Sequence, residues 1–127
     1  MSAYIRRFMA ASRLDGKSCA ADLEKRLKVR ISKCNVQPHL AVVIIGNDHA
    51  SHVYVRNKIK SCERLGIKST HIELPVETSQ EEVANTIISL NKDKTLHGIL
   101  IQSPLPSHMD EESLTEFEKF QKDYQKD

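Results

Sequence analysis

The chain has 127 residues, enough for one domain with a buried core. A net charge of +2, interleaved basic and acidic residues, no tryptophan and 5% aromatics exclude a nucleic-acid surface built on charge or base stacking. Cys19, Cys34 and Cys62 are odd in number and form no Cys-x-x-Cys, which fits reduced thiols better than a disulfide framework or zinc ribbon, and no apolar run reaches transmembrane length.

Residues 1–13 carry Arg6, Arg7 and Arg13, with no acid before Asp15. They read either as a leader before the first helix, in a cytoplasmic protein, or as a transit remnant of a protein of the mitochondrial matrix. From Gly16, the spacing of Cys19, Leu23, Leu27 and Ile31 predicts an amphipathic helix, with the basic run Lys25–Lys33 on its solvated face. Asn35 and Pro38 end it.

LAVVIIG, 40–46, is an unbroken apolar run closed by a glycine, as expected of a strand covered on both faces. After a turn at Gly46-Asn47-Asp48, a second helix is predicted from about Ala50 to Leu65. Val55, Ile59 and Cys62 form its apolar stripe, and Gly66 stops it. THIELP, 70–75, alternates and predicts a shorter strand nearer the sheet edge. Ser79-x-x-Glu82 is a capping-box signature opening a third helix with Val83, Ile87 and Leu90.

HGILIQ, 97–102, predicts another strand. Pro104 and Pro106 then take the chain out of the sheet. The segment 111–127 is a marginal helix or tail whose thin stripe, Leu114, Phe117 and Phe120, is expected to await a partner, with fraying after about residue 108. Strands alternating with helices predict an α/β fold: three layers, a short, mostly parallel sheet with right-handed crossovers, and Rossmann-like topology without a dinucleotide loop.

Ligands of open α/β sheets sit beyond the carboxyl ends of the strands. If the strands at 40–46 and 97–102 are neighbours, Tyr54, Lys58 and Gln102 face one crevice. Tyr54-x-x-x-Lys58 places both side chains on one helical face. Alone, that spacing fits a half-buried helix with a solvated lysine as well as a reactive pair. In a desolvated crevice a lysine can serve as a base near neutral pH, a glutamine carbonyl can hold its head group, and a tyrosine ring can stack on a flat ligand. His49-x-x-His52 has a metal-like spacing but no third ligand, so no metal site is assigned.

HLAVVIIGNDHASHVYVRNKIKSCERLGI, followed by HGILIQSPLPSHMDEE, resembles the N-terminal folate-binding half of bifunctional methylenetetrahydrofolate dehydrogenase/cyclohydrolase, over residues 14–114. The resemblance implies a 14–110 catalytic domain that oxidises 5,10-methylenetetrahydrofolate with NADP or NAD and hydrolyses the methenyl product to 10-formyltetrahydrofolate. This is one-carbon metabolism, linked to purine biosynthesis. It makes Lys58 the general acid/base, Tyr54 a stacking platform and Gln102 the group that tunes the lysine. It places Ile101, Ser103 and Pro104 with them at the substrate. It implies a homodimer, or association with a full-length homologue.

The chain departs from the family pattern at three places. His49 stands for a proline and Ser103 for a leucine. The pterin-gripping aspartate of Lys-Asp-Val-Asp-Gly has no counterpart after Lys122-Asp123 or Lys126-Asp127. With four glycines and no Gly-x-Gly-x-x-Gly run, the 127 residues offer no dinucleotide-binding loop, so hydride transfer is not expected of this chain alone. The alternative expectation is a non-catalytic truncated paralogue acting as a folate-binding or oligomerisation module.

Overall fold

The computed structural model describes residues 11–122, and of 117–122 only the helical backbone. The expectations for the first ten residues, for the side chains of Phe117 and Phe120, and for residues 123–127 lie outside the described residues. In chain order the described elements are α1 (Gly16–Ser32), β1 (His39–Ile45), α2 (His49–Leu65), β2 (Lys68–Leu74), α3 (Gln80–Lys92), β3 (Gly98–Ile101) and α4 (Glu111–Lys122).

The sheet runs β2-β1-β3, with both pairings parallel. His39 pairs with Lys68 and Leu40 with Gly98, so the three strands point their carboxyl ends the same way. β1 is central, and nearly every residue along it is buried, whereas β2 and β3 are mostly half-buried or exposed. Val42 and Ile44 pack on one side with Val55 of α2, while Ala41, Val43 and Ile45 pack on the other with Val83, Ile87, Ile99 and Leu114. Each aliphatic side chain withdrawn fully from water contributes about 1.5–3 kcal/mol. β2 has no buried residue, and from Thr70 to Leu74 it alternates between half-buried and exposed positions, as a strand at the sheet edge should.

Local chemistry sets the helix ends. Asp48 caps α2, and Gly66 ends it in the left-handed conformation at φ 80°. The Ser79/Glu82 capping box is present at α3.

Two packing expectations need correction. α1 is helical, but its predicted stripe is not a core face. It has no buried residue, Cys19 is exposed and Leu23 is 50% exposed. The reason is position: α1 rests on α2 instead of on the sheet, fastened by an Arg64–Glu24 ion pair at 3.0 Å. Leu114, expected to await an outside partner, is fully buried in the domain's own core where α4 packs on α3.

Candidate functional site

Two periodicities build the site. Along β3, Leu100 joins the α2 side of the core, whereas Ile99 and Ile101 face the other side. The residue after Ile101 continues the ladder, its N–H donating to the Val43 carbonyl at 2.9 Å. Alternation therefore turns Gln102 toward α2. On α2, Val55 and Ile59 face the sheet, so Tyr54 and Lys58, each one residue earlier, lie along one edge of that contact.

There the two halves meet. Lys58 Nζ donates to Gln102 Oε1 at 2.7 Å, and Gln102 Nε2 donates to the Ser103 carbonyl at 2.8 Å. A lysine can only donate and a carbonyl can only accept, so this pair of contacts fixes which way the amide points. Lys58 Nζ also lies 5.9 Å from the Tyr54 ring centroid, within range of a cation–π attraction. The ring is 55% exposed, leaving a broad aromatic face open beside the ammonium.

The other expected site residues differ in placement. Ser103 follows Gln102 directly, and its carbonyl accepts from Gln102 as described. Its peptide with Pro104 is cis, and Pro104 is exposed in the loop beyond. Ile101 packs instead into the core cluster on the far side of the sheet.

Sequence reasoning missed Ser51 and Glu111. Ser51 is 2% exposed, and its hydroxyl lies 2.8 Å from Asp48 Oδ2 and 3.3 Å from the Ser103 carbonyl. Asp48-x-x-Ser51 is a capping pattern at a helix start, a signal present in the sequence but read there only as a turn. Ser103 Oγ donates to Glu111 Oε1, a contact that only the folded loop reveals. The Ser51 N–H, then its hydroxyl, hold the Asp48 carboxyl below its ordinary value.

The β1–α2 turn does not suit a dinucleotide pyrophosphate, which needs free backbone N–H groups and no competing anion. The Gly46 N–H is already given to the Leu74 carbonyl at 2.9 Å, and the carboxylate of Asp48 occupies the α2 N-terminus. Among the described residues, no three His, Cys, Asp or Glu side chains converge as metal ligands. His52 Nε2 instead pairs with the Gly46 carbonyl at 3.2 Å. No described helix is long and apolar enough to cross a membrane.

The described surface also has a cleft of about 510 Å³ between the C-terminal ends of α1 and α2, lined by Ile31, Cys34, Val36 and Arg64. Lys58 and Gln102 do not line it. The convergent donors and acceptors, not cavity size, single out the candidate site here.

The profile of the tetrahydrofolate dehydrogenase/cyclohydrolase catalytic domain matches residues 14–125. The bifunctional protein FolD of Prosthecochloris aestuarii is 51% identical over 106 residues, covering 80% of this chain and 36% of its own length. The crystal structure of the Campylobacter jejuni bifunctional enzyme FolD superposes with a TM-score of 0.78 at 37% identity, over 83% of this chain and 38% of that one. The Trypanosoma brucei enzyme, complexed with NADP cofactor and inhibitor, gives 0.77 at 29% identity, over 84% and 38%. The chain spans 36% to 42% of the length of the curated relatives it matches.

Proposed function

Because this chain belongs to the tetrahydrofolate dehydrogenase/cyclohydrolase family, we propose that it is the folate-handling catalytic half of a bifunctional enzyme of one-carbon metabolism. The observation that carries this reading is the 2.7 Å contact between Lys58 Nζ and Gln102 Oε1 beside the open Tyr54 ring. The substrate is a tetrahydrofolate derivative, whose aminobenzoyl ring stacks on Tyr54.

In the hydrolytic step, water adds to the methenyl carbon of 5,10-methenyltetrahydrofolate. The bond from that carbon to N5 then breaks, giving 10-formyltetrahydrofolate and releasing one proton. Lys58 is the group that takes and returns protons between the water and N5. Gln102 holds the lysine head so that its lone pair or proton meets the reacting atoms. Ser103 and Pro104 follow Gln102 at the edge of this pair, and Ile101 packs behind it on the far side of the sheet.

In the other step, NADP or NAD supplies hydride-accepting chemistry when bound. The β1–α2 turn does not fit such a group. Beyond the site, we propose an enzyme of the cytoplasm or the mitochondrial matrix, working as a homodimer or with a full-length homologue, whose product feeds purine biosynthesis.

Titration calorimetry with a stable folate analogue tests this reading. Micromolar binding, weakened in Gln102→Ala, supports it. No heat from a folded chain at any accessible concentration overturns it and favours a non-catalytic oligomerisation module.

A further inference from the structure

We propose that Glu111 is a positioning residue for the Lys58–Gln102 pair, acting through Ser103. This inference rests on the folate reading for its catalytic meaning, but not for its structural content.

The loop after β3 is short of backbone donors. Proline has no N–H, so Pro104 and Pro106 remove backbone donors that would otherwise anchor the segment. Side chains must therefore fix Ser103. Its carbonyl accepts from Gln102 Nε2 at 2.8 Å, and the Ser51 hydroxyl lies 3.3 Å away. That hydroxyl has one proton and lies closer to Asp48 Oδ2, at 2.8 Å, so it gives Ser103 only a shared bond. The remaining tether is Ser103 Oγ donating to Glu111 Oε1.

Glu111 is itself well held. It opens α4, where Asp110 accepts from the Glu112 and Ser113 N–H groups and Leu114 is buried in the core. The carboxylate is thus mounted on a docked helix, and Ser103 is moored to it. If the mooring is lost, the Ser103 peptide can turn and its carbonyl leaves Gln102 Nε2. The amide can then rotate and present N–H to the Lys58 ammonium, donor against donor. Glu111 need not touch the substrate to matter. It keeps the glutamine facing the right way.

The test uses the full chain. Nitrogen-15 NMR should show the Gln102 side-chain amide in a single, exchange-protected environment. Ser103→Ala and Glu111→Ala should remove that protection, while Glu111→Gln, whose amide oxygen still accepts from the serine, should keep it. With a stable folate analogue, Glu111→Ala should weaken binding about fivefold, as expected for one hydrogen bond, and have no effect in a Gln102→Ala background. Thermal unfolding checks that each variant is folded. If Glu111→Ala is not folded, Ser103→Ala, which deletes one exposed hydroxyl, decides the matter. An unchanged Gln102 amide in a folded variant, or equal weakening with and without Gln102, overturns the proposal. If the unaltered chain binds no folate analogue, the folate reading fails and the NMR result alone decides whether Glu111 positions Gln102.

Discussion

Lys58 on α2 and Gln102 just past β3 lie 44 residues apart in the chain and 2.7 Å apart in the fold. They meet because β3 is the parallel neighbour of β1, and β1 delivers the chain directly into α2. The alternation of β3 and the helical period of α2 then aim both side chains at one point.

Replacing the lysine separates chemistry from folding. Lys58 is half-buried and its head group is hydrogen-bonded at the surface of the core. Lys58→Met keeps the apolar stem, so stability should change by less than about 1 kcal/mol. If the chain carries the proposed hydrolysis of a methenyl substrate, that turnover should fall about 10²–10⁴-fold, the range for losing a general acid/base. A turnover assay beside thermal unfolding checks both. Retained turnover would remove Lys58 from the mechanism.

Leu114 offers a test of how α4 is held. It is fully buried among Val83, Ile87 and Ile99. Leu114→Ala should cost about 2–5 kcal/mol, measured by urea unfolding, because the cavity adds to the lost transfer energy. An effect below about 0.5 kcal/mol, the scale of an exposed site, would mean that α4 is undocked in solution.

Acid should loosen the starts of α2 and α4 and the turn that ends α3. Asp110 is held below its ordinary value of 3.8 by the Ser113 hydroxyl and then the Ser113 N–H. Asp48 and Asp93 are lowered too, through the Ser51 N–H and the Thr95 hydroxyl respectively. A lowered folded pKa means the stabilisation is complete above the unfolded value, about 3.9. It is lost as pH falls through the lower folded value. Unfolding free energy should therefore stay level in these groups at neutral pH and drop below about pH 4. Asp110→Asn, which still caps but does not titrate, should flatten part of that drop. An unchanged slope would contradict the assignment.

The thiols should sort by exposure. Burial raises the pKa of Cys62, whereas Cys19 and Cys34 are exposed. A maleimide pulse followed by mass spectrometry should label two cysteines quickly and the third only after denaturant. Fast labelling of Cys62 would mean that α2 opens from the sheet.

Strands and helices were legible where one physical requirement dominated. LAVVIIG admits only a position covered on both faces, and Ser79 with Glu82 writes its own helix start. The Tyr54–Lys58–Gln102 crevice followed from strand adjacency, a condition that the sheet order meets. What failed was the partner of a correctly read face. The α1 period is real, yet Leu23 is half exposed because nothing in a period says what lies opposite. Ser51 was hidden in a capping pattern. The Ser103–Glu111 contact was unreadable because it depends on how a loop with two prolines returns to α4.

The order of strands also sets an order of assembly during synthesis. β1 and β2 emerge first and can pair as soon as α2 has formed between them. At that moment Lys58 is in place without its amide, which arrives only after α3 and β3 have left the ribosome, at roughly 5–20 residues per second. The nascent domain therefore carries the Lys58 ammonium without its Gln102 acceptor for on the order of seconds, until the last strand docks.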